Sequence, residues 1–106
     1  MEIERKYAVY VVPAVYEKMY AHFSFLAQVS VPAAERLCDT FEEAFNDLKY
    51  YPDRYTIYHP QKPTDATLRY KLCAKNRYRV VFETIGSTVY VYDIQDCRQN
   101  SDKNLQ

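Results

Sequence analysis

The stretch of sequence that decides the fold is residues 77–94, RYRVVFETIGSTVYVYDI. Two runs with strand character, residues 77–83 and 88–94, flank Gly86, which is the only glycine of the chain. A two-residue turn that begins with glycine provides the positive φ of a tight hairpin at little steric cost, and Gly86-Ser87 has that order. The stretch therefore predicts a β-hairpin.

Alternation along the first strand of this hairpin separates apolar from basic side chains. Successive side chains of a strand point to opposite faces, so Tyr78, Val80 and Phe82 share one face. Arg77 and Arg79 share the other face. Residues 68–72, LRYKL, alternate in the same way and predict a further strand. We expect the apolar faces to cover a core and the basic faces to meet solvent.

The upstream part of the chain predicts a strand followed by two helices. Residues 7–12 form a nearly unbroken β-branched and aromatic run, and Pro13 suits the first turn of a helix that reaches about Gln28. Ser30 then signals the start of a second helix, which carries the clearest apolar stripe of the sequence and ends before Pro52. The short joint between the two helices predicts a helical hairpin.

The remaining segments complete the predicted fold. Residues 53–65 contain Pro60 and Pro63 and predict a loop over the sheet edge. The fold class is therefore α+β, with a single domain of order β-α-α-β-β-β, an antiparallel sheet and the helical hairpin packed on one face. We expect this domain to span residues 1–99. Residues 100–106 are polar and predict a disordered tail.

The charges of the chain balance but are segregated along it. Lys and Arg number 14, and Asp and Glu number 14, which argues against bulk attraction to nucleic acid or membrane. Residues 66–82 hold five basic residues and no acidic one, whereas residues 35–53 hold six acidic residues. The pattern predicts a basic sheet beside an acidic helix. The chain also has 12 tyrosines, for which amphipathic packing is a stronger explanation than binding.

Cysteine and histidine usage predicts a cytoplasmic protein without cofactors. Cys38, Cys73 and Cys97 lack C-x-x-C spacing, no apolar stretch approaches membrane-spanning length, and we expect no signal peptide, because residues 1–6 lead straight into a strand-like run. We therefore expect free thiols in a reducing compartment, with Cys38 in the core. His22 and His59 lie in unrelated elements without Cys or carboxylates at ligand spacing, so neither predicts a metal site.

The basic residues are the candidate functional groups. If the strands are neighbours, the side chains of their basic faces converge on the uncovered face of the sheet. Such a cluster suits phosphate groups. Each guanidinium offers several hydrogen-bond donors, and the negative charge of a phosphoryl-transfer transition state is spread over several oxygens that can accept them. A solvated sheet face that discourages aggregation remains the alternative. The candidates are Arg69, Lys71, Lys75, Arg77, Arg79 and Arg98.

Four segments carry a resemblance to a known family. They are residues 32–37 (PAAERL), 48–52 (LKYYP), 78–82 (YRVVF) and 92–98 (YDIQDCR). In this order the segments resemble the RelE/ParE superfamily of bacterial toxins, and the likeness covers roughly residues 6–98. The resemblance implies a small cytoplasmic toxin of a type II toxin–antitoxin system, neutralised by a cognate antitoxin that occupies exposed sheet or helix surface.

The ribosome-dependent branch of this family implies an mRNA endonuclease. By match to that branch, Lys71, Arg79 and Arg98 are the catalytic candidates that stabilise charge on the cleaved phosphate. The RNA-binding candidates are Arg69, Lys75 and Arg77. The implied partners are the antitoxin, the ribosome and mRNA, with no cofactor, metal or membrane.

Two departures from the family pattern leave other functions open. Gln95-Asp96-Cys97 stands where many nuclease members have a histidine, and no tyrosine follows Arg98. The set of acid–base groups is therefore incomplete, and a slow enzyme is expected. The chain also fits a ParE-like inhibitor of DNA gyrase without nuclease activity, or a non-toxic binding module on the same scaffold.

Overall fold

The computed structural model describes residues 6–98, which form two α-helices and a five-stranded sheet. The strands are β1 (Ala8–Val11), β2 (Thr56–Tyr58), β3 (Leu68–Cys73), β4 (Tyr78–Ile85) and β5 (Thr88–Asp96). The helices are α1 (Pro13–Ala27) and α2 (Val31–Asp47), and Pro52–Arg54 forms a 3-10 turn before β2. The predicted α+β class is confirmed. The expected polar tail, residues 100–106, lies outside the described residues.

The sheet is mixed, with strand order β1-β5-β4-β3-β2. The predicted antiparallel meander is confirmed for β3, β4 and β5, but β1 pairs with β5 in parallel. The expectation of an antiparallel sheet is therefore wrong at β1. Parallel strands need a long connection between them, which the helices and the meander provide. Alternation within a strand carries no information about the direction of its neighbour.

The segment predicted as a loop contains one more strand. Thr56–Tyr58 pairs antiparallel with β3, and Ile57 lies opposite Arg69. This strand has only three residues, which is too few to show an alternation of apolar and polar side chains, and prolines lie on both sides of it. The chain order is therefore β-α-α-β-β-β-β.

The hairpin predicted from Gly86 is confirmed. Ile85 and Thr88 pair across a two-residue turn in which Gly86 has a φ of +62°. Further along β5, the register shifts and Tyr92 is an extra residue, which is a β-bulge. The bulge was not predicted, and it changes which side chains of β5 share a face.

Both helices begin where the sequence predicts. Pro13 is the first residue of α1, and the Ser30 hydroxyl caps α2 by accepting a hydrogen bond from the backbone N–H of Ala33 at 3.2 Å. α2 ends at Asp47, earlier than the predicted stop at Pro52. After Asp47 the backbone tightens, because the N–H groups of Leu48, Lys49 and Tyr50 donate to carbonyls three residues earlier. The carbonyl of Lys49 then leaves the helical pattern and accepts a hydrogen bond from the backbone N–H of Tyr7, just before β1, at 2.8 Å.

Both helices pack on one face of the sheet, called here the helix face. Its core consists of Val11, Val15, Met19, Phe41, Ala44, Phe45, Leu48, Tyr78, Val80, Phe82, Val89, Val91 and Ile94. The inward orientation predicted for the apolar residues of β4 is thus confirmed. The opposite face, called the far face, carries Tyr10, Tyr58, Tyr70, Arg79, Tyr90, Tyr92, Asp93 and Gln95.

The outer side of the helical hairpin keeps apolar side chains in solvent. Val15 and Met19 of α1 are buried, whereas Tyr16 and Tyr20 are 55% and 73% exposed. Apolar residues therefore surround α1 instead of forming one stripe. Within residues 6–98, neither helix is long and apolar enough to cross a membrane.

Candidate functional site

The basic residues predicted to share one surface lie on both faces of the sheet. Arg79 lies on the far face, away from the helices, as predicted. Arg69 pairs with Phe82 and Lys71 with Val80. Directly opposite residues share a face, and both partners belong to the helix-face core. The prediction of one shared cationic surface is therefore wrong for Arg69 and Lys71.

The register of β3 with β4 turns these two side chains inward, where both meet Tyr55. Its ring packs edge-on against Phe82, with ring centres 5.9 Å apart. Lys71 Nζ lies 5.3 Å from the centre of the Tyr55 ring and 3.6 Å from Asp47 Oδ2. Arg69 Nη1 donates to the backbone carbonyl of Tyr55 at 2.7 Å. Both cations therefore have structural partners at the margin of the core.

Arg79 is enclosed by tyrosine rings on the far face. Its guanidinium carbon lies 5.6 Å from the ring centre of Tyr58 and 5.5 Å from that of Tyr70. The Nε atom of Arg79 is buried and has no hydrogen-bond partner among residues 6–98. Val81, in the middle of this face, is only 3% exposed. The prediction of an open cationic face is therefore wrong at this point. The rings hold the cation by cation–π contacts, and the buried Nε–H is left without a hydrogen bond.

Three more tyrosines continue the far face towards β1. Tyr10 and Tyr90 meet edge-on with ring centres 6.0 Å apart, and the rings of Tyr90 and Tyr92 stack at 6.5 Å. Tyr10 is 50% exposed and Tyr92 is 39% exposed. The Tyr92 hydroxyl donates to Glu83 Oε1 at 2.7 Å, and this hydrogen bond raises the pKa of Tyr92 to about 12. Aromatic rings thus extend from β2 to β1.

A cleft of about 420 Å³ opens beside the second half of β5. Lys18 reaches from α1 to Asp93, whose Oδ1 atom lies 2.6 Å from Lys18 Nζ. Gln95 Nε2 donates to the Tyr58 hydroxyl at 3.0 Å and to Asp93 Oδ2 at 3.2 Å. Pro60, Gln61 and Lys62, which follow β2, complete the lining. The cleft therefore joins α1, β5 and the β2–β3 connection.

The other predicted residues gather where β4 begins. Arg77 Nη2 lies 3.4 Å from Asp96 Oδ2, and the backbone N–H of Arg98 donates to Asp96 Oδ1 at 3.0 Å. Arg36, Lys75 and Arg77 line a groove of about 620 Å³ that has apolar residues on its floor. This set, called the basic end, consists of Arg36, Lys75, Arg77 and Arg98. Three of the six predicted basic residues, Lys75, Arg77 and Arg98, therefore lie in the basic end, which is separate from Arg79.

His22 borders the basic end as a packed aromatic ring. It meets Tyr78 edge-on, with ring centres 5.5 Å apart. Burial lowers the pKa of His22, and Lys18 and Arg77 lower it as well, whereas Asp96 raises it. Burial also raises the pKa of Tyr78. His22 is therefore neutral at pH 7 and is not one of the cations of this end.

Within residues 6–98, the thiols and carboxylates do not form a metal-binding cluster. Cys38, Cys73 and Cys97 are free and partly exposed, so the prediction of Cys38 as a core residue is wrong. Burial raises the pKa of Cys73 to about 11 and also raises that of Cys38, so neither is a thiolate at neutral pH. In the described part of the chain, no three His, Cys, Asp or Glu side chains are grouped to hold a metal ion.

Sequence reasoning missed the groups that surround Arg79. Tyr58 was predicted to be in a loop, Asp93 and Gln95 were considered only as part of the segment 92–98 that carries the family resemblance, and Lys18 carried no expectation. Tyr70 was predicted for the apolar, core-covering face of β3; its register opposite Val81 places it on the far face with Arg79, so that prediction is wrong. The contacts from α1 and from the β2–β3 connection are long-range and leave no local pattern.

Comparison with known proteins adds no family assignment. No protein-family model matches the chain, and no curated protein matches it significantly. The far face, with Arg79 among tyrosines, and the basic end are therefore the surfaces from which a function is inferred.

Proposed function

We propose that this chain is the toxin of a type II toxin–antitoxin system of the RelE/ParE kind. In this proposal it is a cytoplasmic protein that inhibits translation as a ribosome-dependent mRNA endonuclease. The far face is its RNA-contacting surface. The observation that carries the proposal is the guanidinium of Arg79 held between Tyr58 and Tyr70, with Tyr10 and Tyr92 exposed on the same face.

This combination of groups suits single-stranded RNA. Unpaired bases stack on aromatic side chains of a sheet surface, and cationic side chains bind the phosphates between them. An arginine binds phosphate oxygens through several donors at once, and for Arg79 these would be the Nη groups, because its Nε atom is buried. The basic end supplies additional phosphate contacts at the margin of the sheet.

Catalysis in this proposal is mainly electrostatic. Arg79 stabilises the charge that develops on the scissile phosphate, and no histidine lies on any of the five strands. A guanidinium is always protonated and cannot serve as a base. Positioned acid–base groups contribute about 10²–10⁴-fold to rate, so the enzyme is expected to be slow. Lys71 and Arg69 are excluded from the reacting surface, because they lie on the helix face with Tyr55 and Asp47.

One observation favours a second candidate function. The predicted catalytic cations Lys71, Arg79 and Arg98 occupy three separate places, which suits a toxin that binds its target without cleaving RNA. A ParE-like inhibitor of DNA gyrase belongs to this class. A non-toxic binding module on the same scaffold is the remaining possibility.

The exposed apolar surface of the helical hairpin supports an antitoxin partner. Tyr20, Phe25 and Val29 are 73%, 72% and 79% exposed, and Phe23, Ala27 and other apolar residues line a groove between α1 and α2. Apolar patches of this kind mark protein interaction sites. The proposed antitoxin is amphipathic and covers this outer surface of the hairpin.

Induced expression in bacteria separates these functions. The proposed function predicts growth arrest, rapid loss of labelled amino-acid incorporation and unchanged plasmid supercoiling. Inhibited supercoiling with continued translation would move the chain to the gyrase class. Normal growth at verified expression would leave the non-toxic binding module. Co-expression of the product of the adjacent gene is expected to restore growth if that product is the antitoxin.

A further inference from the structure

The cleft beside β5 has more hydrogen-bonding capacity than its own residues use. Asp93 accepts from Lys18 and Gln95, yet a carboxylate offers about four lone-pair sites, so two are left. Both Nε2 protons of Gln95 go to Tyr58 and Asp93, and its side-chain carbonyl has no partner within residues 6–98. The cleft therefore presents a group of spare acceptors.

Donors lie at the same cleft. Lys18 Nζ carries three protons, of which the bond to Asp93 uses one, and the Tyr58 hydroxyl accepts from Gln95 and keeps its own proton. Lys62 adds a second ammonium group to the lining. At about 420 Å³, the cleft falls in the size range of small-molecule sites. It suits a flat ligand that offers adjacent donors next to an acceptor.

We propose that this cleft binds a guanine base of single-stranded RNA. Guanine presents two adjacent donors, N1–H and the exocyclic amine, which a carboxylate accepts together, and its O6 acceptor lies beside them. Uracil has no exocyclic amine, and neither adenine nor cytosine has two adjacent donors on its pairing edge. Asp93 would accept from N1–H and the amine, while Lys18 or Tyr58 would donate to O6. The inference rests on the proposed function for RNA as the ligand.

The position of the cleft links base recognition to Arg79. Gln95 lies directly opposite Arg79 across β4 and β5, and Tyr58 contacts both residues. A nucleotide whose base enters the cleft therefore has its phosphate near the guanidinium. Recognition of an unpaired base by its pairing edge, with an adjacent phosphate held by arginine, is typical of single-stranded RNA binding.

The test compares hexamer RNAs that differ at one base. The purified full chain is titrated by fluorescence anisotropy with labelled UUGUUU, UUAUUU and UUUUUU, and with unlabelled 5′-GMP as competitor. A bidentate base contact is worth about 1–3 kcal/mol, so the guanine hexamer is expected to bind roughly 5–150-fold more tightly than the uridine hexamer. Equal affinities for the three RNAs would overturn the proposal. So would 5′-GMP binding as tightly as the guanine hexamer, because the ligand would then be a free nucleotide.

Three variants assign the preference to the cleft. Asp93→Asn is expected to abolish the preference for guanine. Lys18→Gln removes the same ion pair and one candidate donor to O6 but leaves the carboxylate, so it is expected to reduce the preference without abolishing it. Glu83→Gln is the control, because it changes a carboxylate of the far face that does not line the cleft, and it is expected to keep the full preference. A guanine preference that survives Asp93→Asn would contradict the assignment.

Failure of this inference is distinguishable from failure of the proposed function. Equal binding of all hexamers, in a protein that still arrests translation and cleaves mRNA, would overturn the guanine site alone. A guanine preference that depends on Asp93, in a protein that never inhibits translation, would support the site and overturn the proposed function.

Discussion

Arg79 and Lys71 demonstrate at the residue scale that neighbours decide what a cation can do. Lys71 has Asp47 at 3.6 Å and the Tyr55 ring beside it, whereas Arg79 has two rings and an Nε–H without a partner. Alternation predicted correctly that Arg79 points away from the helices. It could not predict the orientation of Lys71, because that depends on the register between β3 and β4, which places Lys71 opposite Val80 of the core.

A residue-scale prediction concerns His22. Its surroundings are Tyr78, Asp96, Lys18 and Arg77, and burial is the main cause of its lowered pKa. The unfolded chain binds a proton at the ordinary pKa of 6.5, whereas the folded chain binds it only at lower pH. His22 therefore contributes to the free energy of unfolding above about pH 6.5, and this contribution is lost as the pH falls below that value.

Urea unfolding of wild type and His22→Gln at pH 7.5 and 5.5 measures this effect. Wild type is expected to lose more stability on acidification than the variant, by at most about 1.4 kcal/mol per pH unit, the limit for one proton. An identical pH dependence in the two proteins would show that His22 has an ordinary pKa in the folded state.

At the scale of elements, the β4–β5 hairpin combines a predictable turn with an unpredictable bulge. Gly86, Pro13 and the Ser30 cap are local signals that act through a residue's own backbone or its nearest neighbours, and the sequence alone predicts them. The bulge at Tyr92 and the short strand Thr56–Tyr58 depend on partners in other strands. No local pattern marks them, so the face of each β5 side chain could not be predicted.

Gly86 provides the prediction at this scale. A Cβ added at this position meets nothing within 4 Å, so the cost of Gly86→Ala is the conformational cost of φ +62° alone. We expect a loss of about 1–2 kcal/mol in the free energy of unfolding, and a smaller loss for Gly86→Asn, since asparagine adopts this region more readily. The measurement is urea unfolding followed by circular dichroism. Ser87→Ala is the matched control and should change stability by less than about 0.5 kcal/mol. Equal stability of the Gly86→Ala variant and wild type would contradict a strained turn.

At the scale of the whole molecule, the sheet separates two kinds of surface. The helical hairpin presents exposed apolar rings, while the far face presents tyrosines, Arg79 and a polar cleft. The order of two helices followed by a meander could be predicted, because apolar residues repeat with a different spacing in helices and in strands. The parallel position of β1 and the dispersal of the basic residues could not, because both follow from how the elements meet.

The apolar outer surface of α1 predicts the effect of Tyr20→Glu. Tyr20 is 73% exposed, so the variant should fold normally and still cause the growth arrest that the proposed function predicts. A carboxylate in an apolar interface is expected to weaken the complex with the proposed antitoxin by at least tenfold, since burying an unpaired charge is costly. Co-purification of the tagged chain with the product of the adjacent gene, with Tyr51→Glu as an exposed control in another segment, measures this. Undiminished recovery of the partner with the Tyr20→Glu chain would place the interface elsewhere.

The most direct test of the central claim is mRNA cleavage in a reconstituted translation system. We expect wild type to cleave ribosome-bound mRNA slowly and Arg79→Ala to lose about 10²–10³-fold in rate, as for the loss of one charge-stabilising donor. Lys71→Ala is the matched control, because this cation lies on the helix face with Asp47, and it should cleave within a few-fold of wild type. Cleavage that is unaffected by Arg79→Ala, or that depends on Lys71 instead, would contradict the far face as the RNA-contacting surface.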